Sequence, residues 1–178
     1  MSSLHLSKEA LDKGIEHIKE SPKDHGTVKL VLRRPRENER EELTEGQLSV
    51  TEGMVGDYWF KEEKRHPDAQ LNIMNARAIE LIALEPSRWK LAGDQLYIDL
   101  DLSFDNVPPG TRLAIGSAII EVTAIPHRGC GKFKERFGKA ANDFVNDERG
   151  VSLNLRGVAA KVVQEGKVKV GDKVTKVP

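Results

Sequence analysis

The residue types best suited to chemistry lie together in one short segment, residues 126–139. Its sequence, PHRGCGKFKERFGK, contains Cys130, the only cysteine of the 178-residue chain. The segment has one acidic residue and five basic residues, which are Arg128, Lys132, Lys134, Arg136 and Lys139. Nearby positive charge favours the thiolate, the form of cysteine that attacks electrophiles and binds metals. The pattern therefore favours a reactive or metal-binding role for Cys130.

Two glycines and a predicted helix strengthen this hypothesis. Gly129 and Gly131 remove side-chain bulk on both sides of Cys130, which permits unusual backbone angles and close approach of a large ligand. Apolar residues recur at helical spacing over residues 133–145, so Cys130 lies just before a helix whose N-terminus also favours a thiolate. The alternative is a buried cysteine that packs as a small hydrophobic residue, as lone cysteines often do.

The neighbours of Cys130 divide into candidates for ligand contact and residues expected to face water. Arg128 and Lys132 flank the glycines and are the candidates for contact with an anion. His127 is a candidate proton donor or phosphate contact, with a surface histidine as the alternative. The remaining basic residues alternate with the apolar face of the predicted helix and are expected to point to solvent; they are Lys134, Arg136 and Lys139.

Composition excludes several classes of function. The formal net charge is zero, which argues against a general nucleic-acid coat. One cysteine cannot form an internal disulfide or supply a multi-cysteine zinc or iron–sulfur site. The start of the chain lacks the apolar core of a signal peptide, and no apolar run approaches a membrane span, so we expect a cytoplasmic protein without membrane contacts. Four other histidines show no metal-binding spacing; they are His5, His17, His25 and His66.

The first half of the chain mixes helical and strand patterns. Residues 7–20 predict an amphipathic helix capped by Ser7, and the alternation over residues 27–34 predicts a half-buried strand. The highly charged residues 35–46 are interpreted as a solvated loop or an edge segment. A strand at 70–74 followed by a short helix at 76–83 is expected next.

From residue 91 onward the pattern is typical of β structure. The run TRLAIGSAIIEVTAI predicts two strands hinged at Gly116 and Ser117. Near the end, VAAKVVQ and KVKV are predicted to form a hairpin, and KVTKV a closing strand. Short strands at this spacing favour a barrel or sandwich over a parallel sheet. The predicted helix over residues 133–145 interrupts the pattern and is expected to pack outside the strands.

Four blocks of sequence resemble the MOSC domain, a family named after the C-terminal domain of molybdenum cofactor sulfurase. The late lone cysteine, combined with a terminal Arg-Gly and a Val-Gly-Asp element, is specific to this resemblance. The blocks, in the order of the family, are MVGDYW, LAGDQLYIDLDLSFDNVPPGTRLAIGSAIIEVT, PHRGCGKF and LRGVAAKVVQEGKVKVGDKV. The resemblance implies a mostly β fold, a MOSC-type antiparallel β-barrel with a few peripheral helices. We expect it to occupy residues 27–178, after an N-terminal helical extension over residues 1–26.

The resemblance also implies a cofactor and a set of contacts. MOSC proteins are associated with the molybdenum–pterin cofactor, and their cysteine is a sulfur carrier or, in the reductase branch, a molybdenum ligand. Cys130 matches that cysteine. Asp94 and Gln95 match the pocket position of the family, although a turn explains Gly93-Asp94 equally well. Arg156 is a candidate anion contact or an exposed strand-end residue, and Asp57 is expected to organise a turn.

Departures from the family pattern leave the activity open. The first Gly-Asp is not followed by a histidine and a glycine pair, and Gly93-Asp94-Gln95 stands where many members have Gly-Glu-Asn. The resemblance implies either reduction of N-hydroxylated compounds, with electrons from a separate redox protein, or sulfur transfer from a PLP-dependent cysteine desulfurase. PLP is then expected on that partner and not on this chain. The alternative is a non-enzymatic thiol redox sensor or interaction module.

Overall fold

The computed structural model describes residues 4–178 and places eleven strands within them. In chain order, the strands are β1 (Gly26–Arg33), β2 (Glu41–Leu43), β3 (Glu45–Ser49), β4 (Gly53–Met54), β5 (Leu71–Asn75), β6 (Leu96–Asp99), β7 (Arg112–Ile115), β8 (Ala118–Val122), β9 (Val158–Gln164), β10 (Gly166–Lys169) and β11 (Lys173–Val177). The α-helices are α1 (Lys8–Lys19), α2 (Ala76–Ala83), α3 (Gly131–Phe137), α4 (Lys139–Asn146) and α5 (Glu148–Ser152). Two 3-10 helices span Tyr58–Lys61 and Pro86–Ala92, and the second is called the 86–92 helix below.

Seven strands close into a barrel in the order β1, β6, β5, β9, β8, β7 and β11, and β11 pairs again with β1. The pairings are antiparallel except between β5 and β6, where α2 and the 86–92 helix provide the crossover that a parallel pair requires. The prediction of a mostly antiparallel β-barrel with a few peripheral helices is confirmed. Strand β2 lies at the edge of this sheet beside β1, as expected for the charged segment 35–46.

The predicted hairpin near the C-terminus is wrong. Strand β10 leaves β9 and pairs with β3, so that Val168 lies opposite Gly46 in a separate small sheet with β4. The chain turns away at Gly166, where a Cβ atom would lie 2.4 Å from the Ser117 carbonyl carbon. Sequence alternation identifies a strand but not its partner, because partner choice depends on contacts that are distant in the chain. The closing strand, β11, forms as predicted.

Apolar residues form two cores, one inside the barrel and one between its outer face and the helices. The barrel interior is filled by alternating strand residues, such as Val28 and Ile120. Outside, α1 contributes three apolar residues to a layer that also contains Tyr97 and Met74; these three are Leu11, Ile15 and Ile18. No helix within residues 4–178 has the length and apolar character needed to cross a membrane.

Helices α1 and α2 match the predictions, whereas the helix predicted over residues 133–145 is broken in two. Ser7 caps α1 by accepting a hydrogen bond from Ala10 N, and Asn75 caps α2. The break lies at Gly138, whose φ of 94° is the left-handed region that glycine adopts readily. The first piece begins earlier than predicted, at Gly131, so its first turn reaches Cys130 directly. The helical spacing of apolar residues continues across Gly138, so the sequence pattern predicted one uninterrupted helix.

Candidate functional site

Cys130 lies in a cleft of about 250 Å³ between α3, the loop after β1 and the end of the 86–92 helix. The cleft has six basic and two acidic residues in its lining. The basic residues are Arg34, Arg36, Arg40, Lys132, Arg136 and Arg156, and the acidic ones are Glu37 and Glu62. The opening is therefore strongly positive, although the whole chain has no net charge. Such a cleft favours anionic ligands.

Cys130 is exposed and occupies the residue before the first turn of α3. Partial burial raises the pKa of its thiol, but the backbone N–H groups of Phe133 and Lys132 and the charge of Arg156 together lower that pKa below its usual range. The lowering comes from helix backbone and a buried arginine, and not from the Arg128 and Lys132 side chains that the sequence suggested. The position favours a thiolate that solvent can reach.

Three arginines from separate parts of the chain converge on the end of the 86–92 helix. Each donates to one of three consecutive carbonyl oxygens, because the last carbonyls of a helix have no partner within it. The pairs are Arg40 Nε with Lys90 at 3.0 Å, Arg136 Nη1 with Leu91 at 3.0 Å, and Arg156 Nη2 with Ala92 at 3.0 Å. The preceding carbonyl, of Trp89, accepts from the Tyr97 hydroxyl. This convergence builds the positive wall of the cleft.

Behind the cleft, Asp94 holds both Arg156 and His127. Its carboxylate is fully buried and accepts from Arg156 Nη1 at 2.6 Å and from His127 Nε2 at 2.8 Å. Burial raises the pKa of Asp94, but the charge of Arg156 and the hydrogen bonds from Arg156 and His127 outweigh this effect, and the net pKa is lowered. Asp94 is therefore an anion that fixes the direction of two cleft residues.

His127 is neutral near pH 7. Burial and the charge of Arg156 lower the pKa of its imidazole, and the opposing effect of Asp94 is smaller. Because the Asp94 carboxylate can only accept, we place the imidazole proton on Nε2, which leaves Nδ1 as an acceptor. The side chain lines the cleft and is 15% exposed. His127 thus presents a basic nitrogen and no positive charge.

Arg156 is the most deeply buried charge in the cleft wall. Only 7% of the residue is exposed, and its guanidinium carbon lies 5.0 Å from the centre of the Phe133 ring. Its Nε is buried and has no hydrogen-bond partner within residues 4–178. The expectation of an exposed strand-end arginine is wrong, because Asp94 draws the side chain into the protein. Sequence alone could not reveal this pairing across 62 positions.

Gln95 supports the cleft from behind and does not line it. Its Oε1 accepts from Asn72 N at 2.8 Å, and its Nε2 donates to Asp57 Oδ2 at 3.2 Å. Asp57 in turn accepts from Arg34 Nη2 at 2.9 Å and caps the Tyr58–Lys61 helix through Trp59 N. Asp57 therefore organises its turn as expected and also fixes an arginine of the cleft.

The two basic neighbours of the glycines lie in different places. Lys132 lies at the mouth of the cleft, with its Nζ 3.6 Å from Glu37 Oε1. Arg128 is exposed and lines a second, largely apolar cleft on the other side of His127. Its Nη1 donates to the His127 carbonyl oxygen at 3.2 Å. Of the candidates, His127, Lys132 and Arg156 therefore line the cleft together with Cys130, whereas Asp94 and Gln95 lie behind it and Arg128 lies outside it.

Most of the arginines in the cleft were not predicted from the sequence. Arg36 and Arg40 belong to the segment 35–46, which was interpreted as a solvated loop or an edge segment, and Arg34 is the last residue of the strand predicted over residues 27–34; together they lie in the run RRPRENER. Arg136 was expected to point to water, yet it is half-buried and faces the cleft. The concentration of arginine in that run was the one available signal, since arginine is favoured where anions are bound. Lys134 and Lys139 are exposed, as expected.

Comparisons with known proteins agree with this architecture. A family model described as "MOSC domain" matches residues 66–175. No curated protein sequence matches the chain.

Within residues 4–178, no group of three or more His, Cys, Asp and Glu side chains is arranged to hold a metal ion.

Three solved structures are similar in fold. The YUAD protein from Bacillus subtilis has a TM-score of 0.59 at 14% identity, covering 84% of this chain and 93% of that one. A structure described as a hypothetical protein has a TM-score of 0.63 at 23% identity, covering 91% and 71%. YiiM from Escherichia coli has a TM-score of 0.56 at 20% identity, covering 85% and 70%. At these identities the likeness shows a shared fold.

Proposed function

Because the chain belongs to the MOSC domain family, we propose that it binds the molybdenum–pterin cofactor associated with that family, with Cys130 as molybdenum ligand or sulfur carrier. One observation carries the proposal. The only cysteine of the chain has a lowered pKa and opens into a cleft lined by six basic residues. The barrel, the thiol and the positive charge thus coincide at one place.

The residues present fit such a group. The cofactor carries a phosphate, and guanidinium groups pair well with phosphate oxygens. Arg156 has a buried Nε without a partner among the described residues, so the wall has unused capacity to donate hydrogen bonds. A cofactor that carries its own metal and performs the reaction needs few ligands from the protein. The lack of a cluster of metal-binding side chains in residues 4–178 is therefore compatible with binding of this cofactor. Cys130 would provide the one sulfur.

The chain itself would supply binding, orientation and one proton acceptor. Molybdenum bound at Cys130 would supply oxygen-atom or sulfur chemistry. Arg156, fixed by Asp94, stabilises negative charge on Cys130 Sγ. His127 Nδ1 is available to accept a proton in the cleft, because Nε2 is committed to Asp94. A neutral imidazole suits this role near pH 7.

Exposure of the thiol supports an exchange with another protein. A sulfur carrier must reach the persulfide of a PLP-dependent cysteine desulfurase, and a reductase must receive electrons from a separate redox protein. Cys130 is exposed at the surface, so both routes are open to it. Incubation with a desulfurase and free cysteine, followed by mass spectrometry of the Cys130 peptide, distinguishes them. A persulfide on Cys130 supports sulfur transfer, and its absence argues against that role.

Protection of the thiol tests cofactor binding. The protein is purified from a host that makes the cofactor and from a matched host that cannot, and both samples are treated with iodoacetamide. We expect Cys130 to be blocked in the first sample and alkylated in the second, because a bound ligand occupies the cleft. Equal alkylation of both samples contradicts the proposal. Denaturing each sample before alkylation controls for prior irreversible oxidation of the thiol.

The alternative function is a thiol redox sensor. It is favoured by the same exposed thiol with a lowered pKa, because such thiols are the ones most readily oxidised. A sensor requires no cofactor, so both samples described above would be alkylated equally. Reversible loss of alkylation after mild peroxide treatment would then support the sensor function.

A further inference from the structure

Arg40 and Arg136 stand side by side in the cleft because they bind adjacent carbonyl groups. Arg40 lies before β2, and Arg136 lies in the last turn of α3. Their acceptors are the carbonyl oxygens of Lys90 and Leu91, at 3.0 Å in both cases. Neither arginine depends on the other for its position. The pair is therefore prearranged by the protein backbone.

Neither guanidinium has an acidic partner. No carboxylate within residues 4–178 lies within 4.0 Å of Arg40 or Arg136, whereas Arg34 and Arg156 are paired with Asp57 and Asp94. A guanidinium has five N–H donors, and each of these two arginines uses one of them on a carbonyl oxygen within the described residues. Most of their donors thus remain available to a ligand.

The partial negative charge at the C-terminus of the 86–92 helix is too small to balance the positive charges of Arg40 and Arg136. A helix C-terminus is equivalent to only about half of a negative charge, and its favourable effect fades within one turn. The 86–92 helix spans seven residues, and Arg156 also binds its last carbonyl. Burial lowers the pKa of Arg40, and the charge of Arg136 lowers it further, which reflects repulsion between them. Such repulsion is relieved when an anion binds.

We propose that Arg40 and Arg136 form a binding site for a phosphate-class oxyanion, either free phosphate or the phosphate group of a larger ligand. Two guanidinium forks offer the parallel N–H pairs that phosphate oxygens accept. This inference rests on the proposed function only where the cofactor is the source of the phosphate. Binding of free phosphate at the site does not require a cofactor. The Arg40–Arg136 site replaces the pair expected from the sequence, Arg128 and Lys132, of which Arg128 lies outside the cleft.

Calorimetric titration of cofactor-free protein with inorganic phosphate tests the site. The titration is made at constant ionic strength, balanced with potassium chloride, because screening alone would weaken binding to any surface charge. We expect saturable binding with one site per chain. Substitutions R40M and R136M should each weaken it at least tenfold, the loss typical of one charge-assisted hydrogen bond. R40K and R136K keep the charge but lose the fork, so they should bind with intermediate affinity.

Arg128 provides the matched control. Like the pair, it donates to a carbonyl oxygen and has no carboxylate within 4.0 Å in residues 4–178, but it lies outside the cleft. R128M should therefore bind phosphate as the wild type does. Absence of saturable binding in the wild type overturns the proposal, and so does equal weakening by R128M. Far-UV circular dichroism confirms that each variant is folded, and the lysine variants guard against loss of packing.

A second titration identifies the source of the phosphate. If protein loaded with the cofactor no longer binds inorganic phosphate, the cofactor phosphate occupies the Arg40–Arg136 site. If loaded protein still binds it, the site accepts a separate oxyanion. Both results support the site. If no cofactor is ever found but phosphate binds, the proposed function fails and the site remains.

Discussion

The side chain of Asn146 binds both backbone polar groups of Gly129. Asn146 Oδ1 accepts from Gly129 N at 2.8 Å, and Asn146 Nδ2 donates to the Gly129 carbonyl oxygen at 2.8 Å. Asn146 is the last residue of α4, so this helix holds the loop that precedes Cys130. The position of the thiol thus depends on a side chain 16 residues later in the sequence as well as on α3.

The two glycines beside Cys130 should respond differently to substitution. A Cβ atom on Gly129 would lie 2.4 Å from Asn142 Oδ1 and 2.9 Å from Val145 Cγ2, whereas nothing lies within 4 Å of one on Gly131. We expect G129A to destabilise the protein by about 1–3 kcal/mol through overpacking. We expect G131A to leave stability unchanged or raise it by up to about 1 kcal/mol. Urea unfolding measures both.

Cofactor retention by the G131A variant gives the functional part of this test. A Cβ atom at position 131 would extend into open space beside Cys130, where a bound cofactor is expected to approach the backbone closely. G131A should therefore fold normally and bind the cofactor less well. A variant that retains the cofactor fully would show that Gly131 is not needed for ligand approach.

The backbone of Lys132 should matter more to the thiol than its side chain. Its N–H lowers the pKa of Cys130, and K132P removes that N–H at a first-turn position where proline is tolerated. We expect K132P to raise the pKa of the Cys130 thiol and K132A to leave it near the wild-type value. The dependence of alkylation rate on pH measures this. A larger shift in K132A than in K132P would assign the effect to the lysine charge.

Acidification should destabilise the protein through His127. Its pKa in the folded protein is lowered from the ordinary value of 6.5, so the unfolded chain takes up this proton at higher pH than the folded one. Stability should therefore fall as the pH decreases below about 6.5. H127Q should show a smaller loss between pH 7 and pH 5 in urea unfolding. The exposed His66 serves as control, and H66Q should keep the wild-type slope.

Removal of the Asp94 charge should be costly because it isolates Arg156. D94N leaves a guanidinium that is 8% exposed without its carboxylate, and breaking a buried pair in this way costs about 3–5 kcal/mol. The double variant D94N/R156M should recover part of that loss. Lys139 and Asp143 form an exposed pair, so D143N should change the free energy of unfolding by less than about 1 kcal/mol. Equal effects of D94N and D143N would contradict the importance of the buried network.

Local patterns predicted much of the fold. Ser7 before an apolar period, and the alternation of Val28, Leu30 and Leu32, identify α1 and β1 because capping and alternation act over a few residues. The pairing of β10 with β3 was missed, and so was the break at Gly138. Both depend on contacts from elsewhere in the chain, such as the approach of Gly166 to Ser117 and of His5 to Gly138.

The sequence predicted Cys130 at the centre of the candidate site but not most of the arginines that form the wall of the cleft. The sequence points to Cys130 because thiol, glycines and charges are neighbours along the chain. The wall of the cleft consists of Arg40, Arg136 and Arg156. These side chains converge because they donate hydrogen bonds to three consecutive carbonyl oxygens in the 86–92 helix. No short-range sequence pattern predicts this convergence of distant arginines, so Arg136 was expected in solvent and Arg128 in the site.

Molybdenum and pterin content test the central claim most directly. Wild-type protein and C130S are purified in parallel from a host that makes the cofactor, and metal and pterin are measured per chain. We predict equimolar molybdenum and pterin in the wild type. If Cys130 is the molybdenum ligand, C130S should lose most of its molybdenum, because the serine hydroxyl is a poor substitute for a thiolate ligand. Wild-type protein that contains neither molybdenum nor pterin would contradict the account.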